Sequence, residues 1–160
     1  MDEAVISKFA SRGEIDAHFA EVIARSNASL LMFDPDFSVF NLGLSDTDAA
    51  LRHFLGRGGH MQLAMHETAY IERHYPRFMQ LLRDFGHRIE CRVTNRPLRT
   101  LTDSFCIGDG LHIVRRFHSE HMRGETAMNS PVSTEISNER FIGIWAESLP
   151  GLQGSTTGLM

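Results

Sequence analysis

Lysine, cysteine and long apolar runs are what this 160-residue chain has least of. Its two cysteines, Cys91 and Cys106, show neither the density of a disulfide scaffold nor CxxC spacing, and both sit in apolar, strand-like runs that predict buried thiols. No apolar run approaches the roughly 18 residues of a membrane span, and MDEAVISKF is not a basic stretch leading into an apolar one, so no membrane association is expected and the expected location is cytoplasmic. Acidic residues outnumber basic ones, 20 to 16, and a net charge of -4 argues against broad nucleic-acid binding. No glycine-rich loop has P-loop or dinucleotide-binding form, because Gly56-Arg57-Gly58-Gly59 precedes a strand-like run instead of following one.

What is present points to one globular domain over residues 1–150 with a disordered tail over 151–160. Hydrophobic residues make up 42% and charged residues 22%, ordinary values for a packed domain. Of the 16 basic residues only Lys8 is lysine. Arginine pairs bidentately with phosphates and carboxylates, so this bias is compatible with anion recognition, and also with a compositional preference that runs through the whole chain.

Ser11-Arg12-Gly13-Glu14 has the form of a capping box, and Ile15, Phe19, Val22 and Ile23 follow at helical spacing, predicting a helix over 13–26. Ser29 to Phe33 is a continuous apolar run stopped by Asp34-Pro35-Asp36, as for a central strand buried on both faces. A second cap at Ser45 to Asp48 precedes the apolar face of Ala49, Ala50, Leu51, Phe54 and Leu55. Met61 to Met65 reads as the second strand. A helical segment is broken and restarted at Pro76, which suits the first residue of a helix. Arg88 to Val93 alternates as a third strand. Thr102 to Arg116 then forms two apolar strands joined by the tight turn Gly108-Asp109-Gly110. Residues 117–131 are expected as a long loop. A closing helix begins near Ser133, with Ile136, Phe141, Ile144, Trp145 and Leu149 on one face. This order predicts an α/β fold: a mostly parallel sheet with a C-terminal β-hairpin and helices packed on the sheet.

With that succession of elements, the strand running into Asp34-Pro35-Asp36, and the aromatics Phe141 and Trp145 in the last helix, the chain resembles one half of the phospholipase D superfamily. More narrowly it is similar to degenerate single-repeat members found in proteobacteria, some standing alone and some attached to acetyltransferase-like domains. The superfamily motif, H-x-K-x4-D followed by Gly-Ser and Asn, is implied to lie on the hairpin. With Asp109 at the motif aspartate, Thr102 takes the histidine position, Ser104 the lysine position, and Arg116 and Phe117 the Gly-Ser positions. In the active family the histidine attacks phosphorus and the lysine holds phosphate oxygens. Threonine has no activating base to replace that nucleophile, and serine carries no charge.

The resemblance therefore implies a domain that binds an anionic, phosphate-containing ligand or a partner protein without catalysis. Its candidate residues are Thr102, Ser104, Asp109, Arg92, Arg115, Arg116 and His66. No catalytic residue, metal or cofactor is expected. Active members bring two repeats face to face, which implies a homodimer through the groove. The alternatives are a diverged phosphodiester hydrolase or transferase with His66, His112 or His118 in place of the missing histidine, and an accessory to an acetyltransferase. His118-Ser119-Glu120-His121 with His112 offers zinc-ligand residue types, but it lacks HExxH form and falls in the expected loop. Asp34, Asp36, His66 and Glu67 follow the first two strands, where ligands bind in open α/β sheets, although Asp-Pro-Asp also suits a capping turn.

Overall fold

The computed structural model describes residues 3–154. The predicted helices and strands are present, and three further strands join them. The chain runs β1 (Val5–Phe9), α1 (Arg12–Arg25), β2 (Ser29–Phe33), α2 (Ser45–Gly56), β3 (His60–Met65), α3 (Ala69–His74), α4 (Pro76–Asp84), β4 (Ile89–Thr94), a 3₁₀ turn (Arg96–Thr100), β5 (Ser104–Gly108), β6 (His112–Arg116), β7 (Gly124–Met128), α5 (Pro131–Ala146) and β8 (Ser148–Pro150).

Among the described residues the eight strands form one sheet in the order β1-β7-β6-β5-β2-β3-β4-β8. Only β2–β3 and β3–β4 pair in parallel; the other five pairings are antiparallel. The expectation of a mostly parallel sheet is corrected accordingly. Parallel neighbours need a helical crossover, and only α2 and the α3–α4 pair supply one, whereas β5, β6 and β7 follow one another through short connections and must reverse. Part of the expected loop at 117–131 is strand β7, whose Thr126 hydroxyl donates to the Ile113 carbonyl at 2.8 Å.

The strands alternate between two cores. Leu30, Met32, Leu63 and Met65 pack under α1, α2, α3 and α4, while Phe33, Ala64, Phe105, Ile107 and Ile113 pack under Phe141 and Ile144 of α5. The closing helix ends at Ala146, so Leu149, expected on its inner face, falls in β8 and is 69% exposed, while Ile136, also expected to face inward, is 72% exposed on the helix. The capping box forms as expected, with the Glu14 N–H donating to Ser11 Oγ at 3.2 Å and Glu14 Oε1 accepting from the Ala10 N–H. At α2 the cap position is Leu44, with no side-chain cap bond, and Ser45 begins the helix itself.

Of the expected tail, Gly151 donates its N–H to the Cys91 carbonyl at 2.9 Å and Leu152 packs against the main core; residues 155–160 lie outside the described residues. Among the described residues no helix is long and apolar enough to cross a membrane. The thiols are buried, which raises the pKa of Cys91 to about 12 and that of Cys106 still further.

Candidate functional site

Because β5 runs antiparallel to β2, its first residue lies beside the carboxyl end of β2. Phe33 pairs with Phe105 and Ser104 with Arg116, which brings Asp34, Ser104 and Arg116 to one end of the sheet, the end where β3 finishes at Met65 and β4 at Thr94. The Ser104 hydroxyl donates to Asp34 Oδ1, and Arg116 Nη2 donates to Ser104 Oγ at 2.9 Å. Arg116 Nη2 also reaches the Thr102 carbonyl at 3.5 Å and stands 3.9 Å from Asp34 Oδ1. The other Asp34 oxygen accepts backbone N–H groups from Asp36, at 3.3 Å, and Phe37. Asp-Pro-Asp is thus a capping turn and part of the polar cluster at once.

Asp34 and Ser104 are fully buried, and Arg116 is 4% exposed. Burial raises the Asp34 pKa to about 6, although the Ser104 hydroxyl and the Arg116 charge pull it down. Burial likewise lowers the pKa of Arg116 against the attraction of Asp34. For both partners desolvation outweighs the ion pair, as is common for buried charges. Arg116 Nε is buried with no hydrogen-bond partner among the described residues.

Arg116 lines a cavity of about 260 Å³ together with Thr100, Leu101, Thr102, Asp103, Arg115, Phe117, Ser137 and Arg140. Arg140 grips Asp103 bidentately at 2.6 and 2.9 Å, which raises its pKa, and Arg115 pairs with Glu125 while lying 5.6 Å from the Phe117 ring. Two of the three arginines therefore have a carboxylate in direct contact. Arg116 reaches its carboxylate only through Ser104.

Of the seven residues singled out from the sequence, Thr102, Ser104, Arg115 and Arg116 come together here. Asp109 sits at the far end of β5, with φ of 56°, and accepts the N–H groups of Asn27, Ala28 and Ser29 at 2.8, 2.8 and 2.9 Å. Burial raises its pKa, but these three donors outweigh that and hold the carboxyl below the ordinary range. It ties the hairpin turn to the start of β2, away from the cavity. Arg92 is drawn to α5, its guanidinium 4.3 Å from the Trp145 ring centroid and its Nη1 donating to the Trp145 carbonyl at 3.0 Å.

His66 is held at both nitrogens: Nε2 donates to the Leu101 carbonyl at 2.7 Å, and Nδ1 lies 2.6 Å from Thr94 Oγ1. It fixes the chain leading into the cavity and does not line it. His112, 3% exposed, accepts the Asn129 N–H at Nδ1, and burial followed by the Arg25 charge lowers its pKa. His118 and His121 accept nearby backbone N–H groups in the β6–β7 loop. Among the described residues no three His, Cys, Asp or Glu side chains are grouped to hold a metal ion.

Asp103, Ser137 and Arg140 were not singled out from the sequence. The Asp103–Arg140 pair spans 37 positions, and no local spacing announces it.

A comparison with curated proteins finds no sequence match. Among solved structures, the chain is similar to TrmBL2, an archaeal chromatin protein described as showing a novel mode of DNA binding (TM-score 0.68, 10% identity); the match covers 91% of this chain and spans about half, 54%, of that one. It is also similar to Nuc from Salmonella typhimurium, a phospholipase D family member (TM-score 0.63, 16% identity, 93% of this chain and 99% of that), and to NucT from Helicobacter pylori (TM-score 0.62, 9% identity, 93% and 100%). The likeness to Nuc supports a phospholipase D-like α/β fold. The family itself rests on a match in sequence: over residues 11–153 the chain fits the family model described as Domain of unknown function (DUF7931), and it belongs to that family.

Proposed function

We propose that this domain is a non-catalytic binding module that takes a small oxyanion, such as the phosphate group of a ligand or a partner protein, in the cavity at the base of the β5–β6 hairpin. One observation carries the reading: Arg116 lines the cavity, is 4% exposed and has no carboxylate within direct hydrogen-bond distance, Asp34 standing 3.9 Å away. A buried guanidinium with no carboxylate in direct hydrogen-bond contact is costly unless an anion meets its charge, and an oxyanion is an acceptor that matches it. The Arg116 guanidinium, reaching Ser104 from the neighbouring strand, supplies positive charge beside the position that holds lysine in active relatives.

The chemistry around it favours binding over turnover. Ser104 has no exposed surface for attack on a substrate, no histidine lines the cavity, and both nitrogens of His66 are engaged. The reading includes a single-repeat domain of the proteobacterial kind, located in the cytoplasm, alone or beside an acetyltransferase-like domain, and paired with a second copy through the groove side, where Phe117 is 48% exposed. The DNA binding of the archaeal neighbour is not carried over at 10% identity and a net charge of -4.

Two measurements test the proposal. Titration with inorganic phosphate should give saturable binding that Arg116→Gln abolishes. A chromogenic phosphodiester should not be hydrolysed above background by the protein or by His66→Ala; robust hydrolysis lost in His66→Ala would overturn the non-catalytic reading.

A further inference from the structure

The least explained feature of the cavity is that its receptor arginine has a carboxylate behind it. Asp34 lies 3.9 Å from Arg116 Nη2, on the far side of Ser104. As a carboxylate it both neutralises Arg116 and repels any anion brought to the guanidinium, within a buried setting where such interactions are poorly screened. We infer that Asp34 governs Arg116 as an anion receptor, so that an oxyanion enters the cavity together with one proton, which is taken up by the Asp34 carboxylate. The inference rests on the anion-binding reading of the same cavity.

The hydrogen bonds allow the change without rearranging the backbone. In the charged state the Ser104 hydroxyl donates to Asp34 Oδ1, and its oxygen accepts from Arg116. With Asp34 protonated at Oδ1, that bond reverses: the new O–H donates to Ser104 Oγ, the Ser104 hydroxyl hydrogen gives up Asp34 as its acceptor, and Oδ2 keeps the Asp36 and Phe37 N–H groups. Arg116 loses its counter-charge, and its positive charge is left for the anion. The proton comes from the buffer and nothing else changes hands.

Asp34 is also poised for this, since burial already holds its pKa at about 6 with no ligand bound. A bound anion raises it further, because like charges disfavour the ionised carboxyl. The other charged or titratable groups around Asp34 are Asp36 on its own loop, Arg116 from β6, and Tyr75 and Arg12 from the helical face. Tyr75, pushed well above its ordinary pKa, donates its hydroxyl to the Phe37 carbonyl at 2.6 Å, and Arg12 donates to the Ser38 carbonyl at 2.7 Å. Asp103 acts on Arg116 from the cavity side but is neutralised by Arg140. His66 stands next to the loop, its backbone N–H on the Pro35 carbonyl at 2.8 Å and its ring held between Thr94 and the Leu101 carbonyl.

Sulfate is the probe of choice, because its own charge does not change over the range used. Calorimetric titration of the wild-type protein with sulfate, in buffers of different ionisation heat, counts the protons taken up. The expected uptake approaches one proton near pH 7.5 and vanishes below about pH 5, with affinity falling up to about tenfold per pH unit above pH 6. Asp34→Asn should bind sulfate with one affinity across the range and no proton uptake, and Arg116→Gln should not bind at any pH. Sulfate binding without proton uptake, or a pH slope that persists in Asp34→Asn, would overturn the proton coupling and leave the anion site standing. No binding by the wild type at any pH, or binding undiminished in Arg116→Gln, would overturn the site and the coupling together. If Asp34→Asn does not fold, the wild-type proton count decides alone.

Discussion

Asp109 at the turn of the β5–β6 hairpin and Asp34 at its base each accept three hydrogen bonds, yet one carboxyl is pushed below its ordinary pKa and the other well above it. Asp109 takes its three from backbone N–H groups at a partly open edge, where water still solvates the charge. Asp34 takes two from the backbone and one from Ser104 with no exposed surface, and Arg116 nearby does not make up the lost hydration. Hydrogen-bond number therefore does not decide the charge state at these two sites; desolvation does. The turn end is a structural clasp. The base holds a charge pair in which neither partner is fully satisfied, the condition under which a ligand or a proton can shift the balance.

Substitution at each end should separate these roles. Asp109→Ala leaves three N–H groups without their charged acceptor and should lower the unfolding free energy by about 3–4 kcal/mol in chemical denaturation, with sulfate binding unchanged in the folded protein. A loss of binding there would erase the distinction between the two ends.

The pH dependence of stability should sharpen it. The folded pKa of Asp34 is raised, so its contribution is fully present below its unfolded pKa of 3.8 and is lost as pH rises through about 6. Asp109, with a lowered folded pKa, contributes above its unfolded value and loses that contribution only as pH falls below it. Relative to Asp34→Asn, the wild type should lose about 2–3 kcal/mol between pH 4 and pH 7, measured as the difference between their unfolding curves. A constant difference across that range would remove the contrast.

Smaller effects follow at the arginines. Arg116→Gln should leave no saturable sulfate binding at pH 6 in the same calorimetry, with little change in stability. Arg92→Ala removes the stacking on Trp145 and the bond to its carbonyl and should lower thermal stability by about 1 kcal/mol, leaving sulfate affinity untouched.

Much of the fold was legible in local patterns. The capping box at Ser11 and Glu14, the apolar run of β2, the proline that opens α4 and the Asp-Gly turn of the hairpin each concern residues within a few positions of one another. β1, β7 and β8 escaped because none is a continuous apolar run like the equally short β2: Val5 to Phe9 carries Ser7 and Lys8, Gly124 to Met128 mixes polar and small residues, and Ser148 to Pro150 is three residues long. The sheet's direction was misjudged because an antiparallel majority depends on which strands become neighbours.

The amino-acid order by itself determined the helices, five of the strands, the layered α/β class and the replacement of the motif histidine and lysine by Thr102 and Ser104, because these are properties of short windows and of residue type. It placed Asp109 and Arg116 in one candidate site, since both lie on the same hairpin. Only the tertiary structure parted them, because a strand five residues long carries its two ends to opposite edges of the sheet. The same pairing brought Asp34, 70 positions from Ser104, into contact with it. Burial then set the charge state of that contact, and burial is a property of everything packed around a residue.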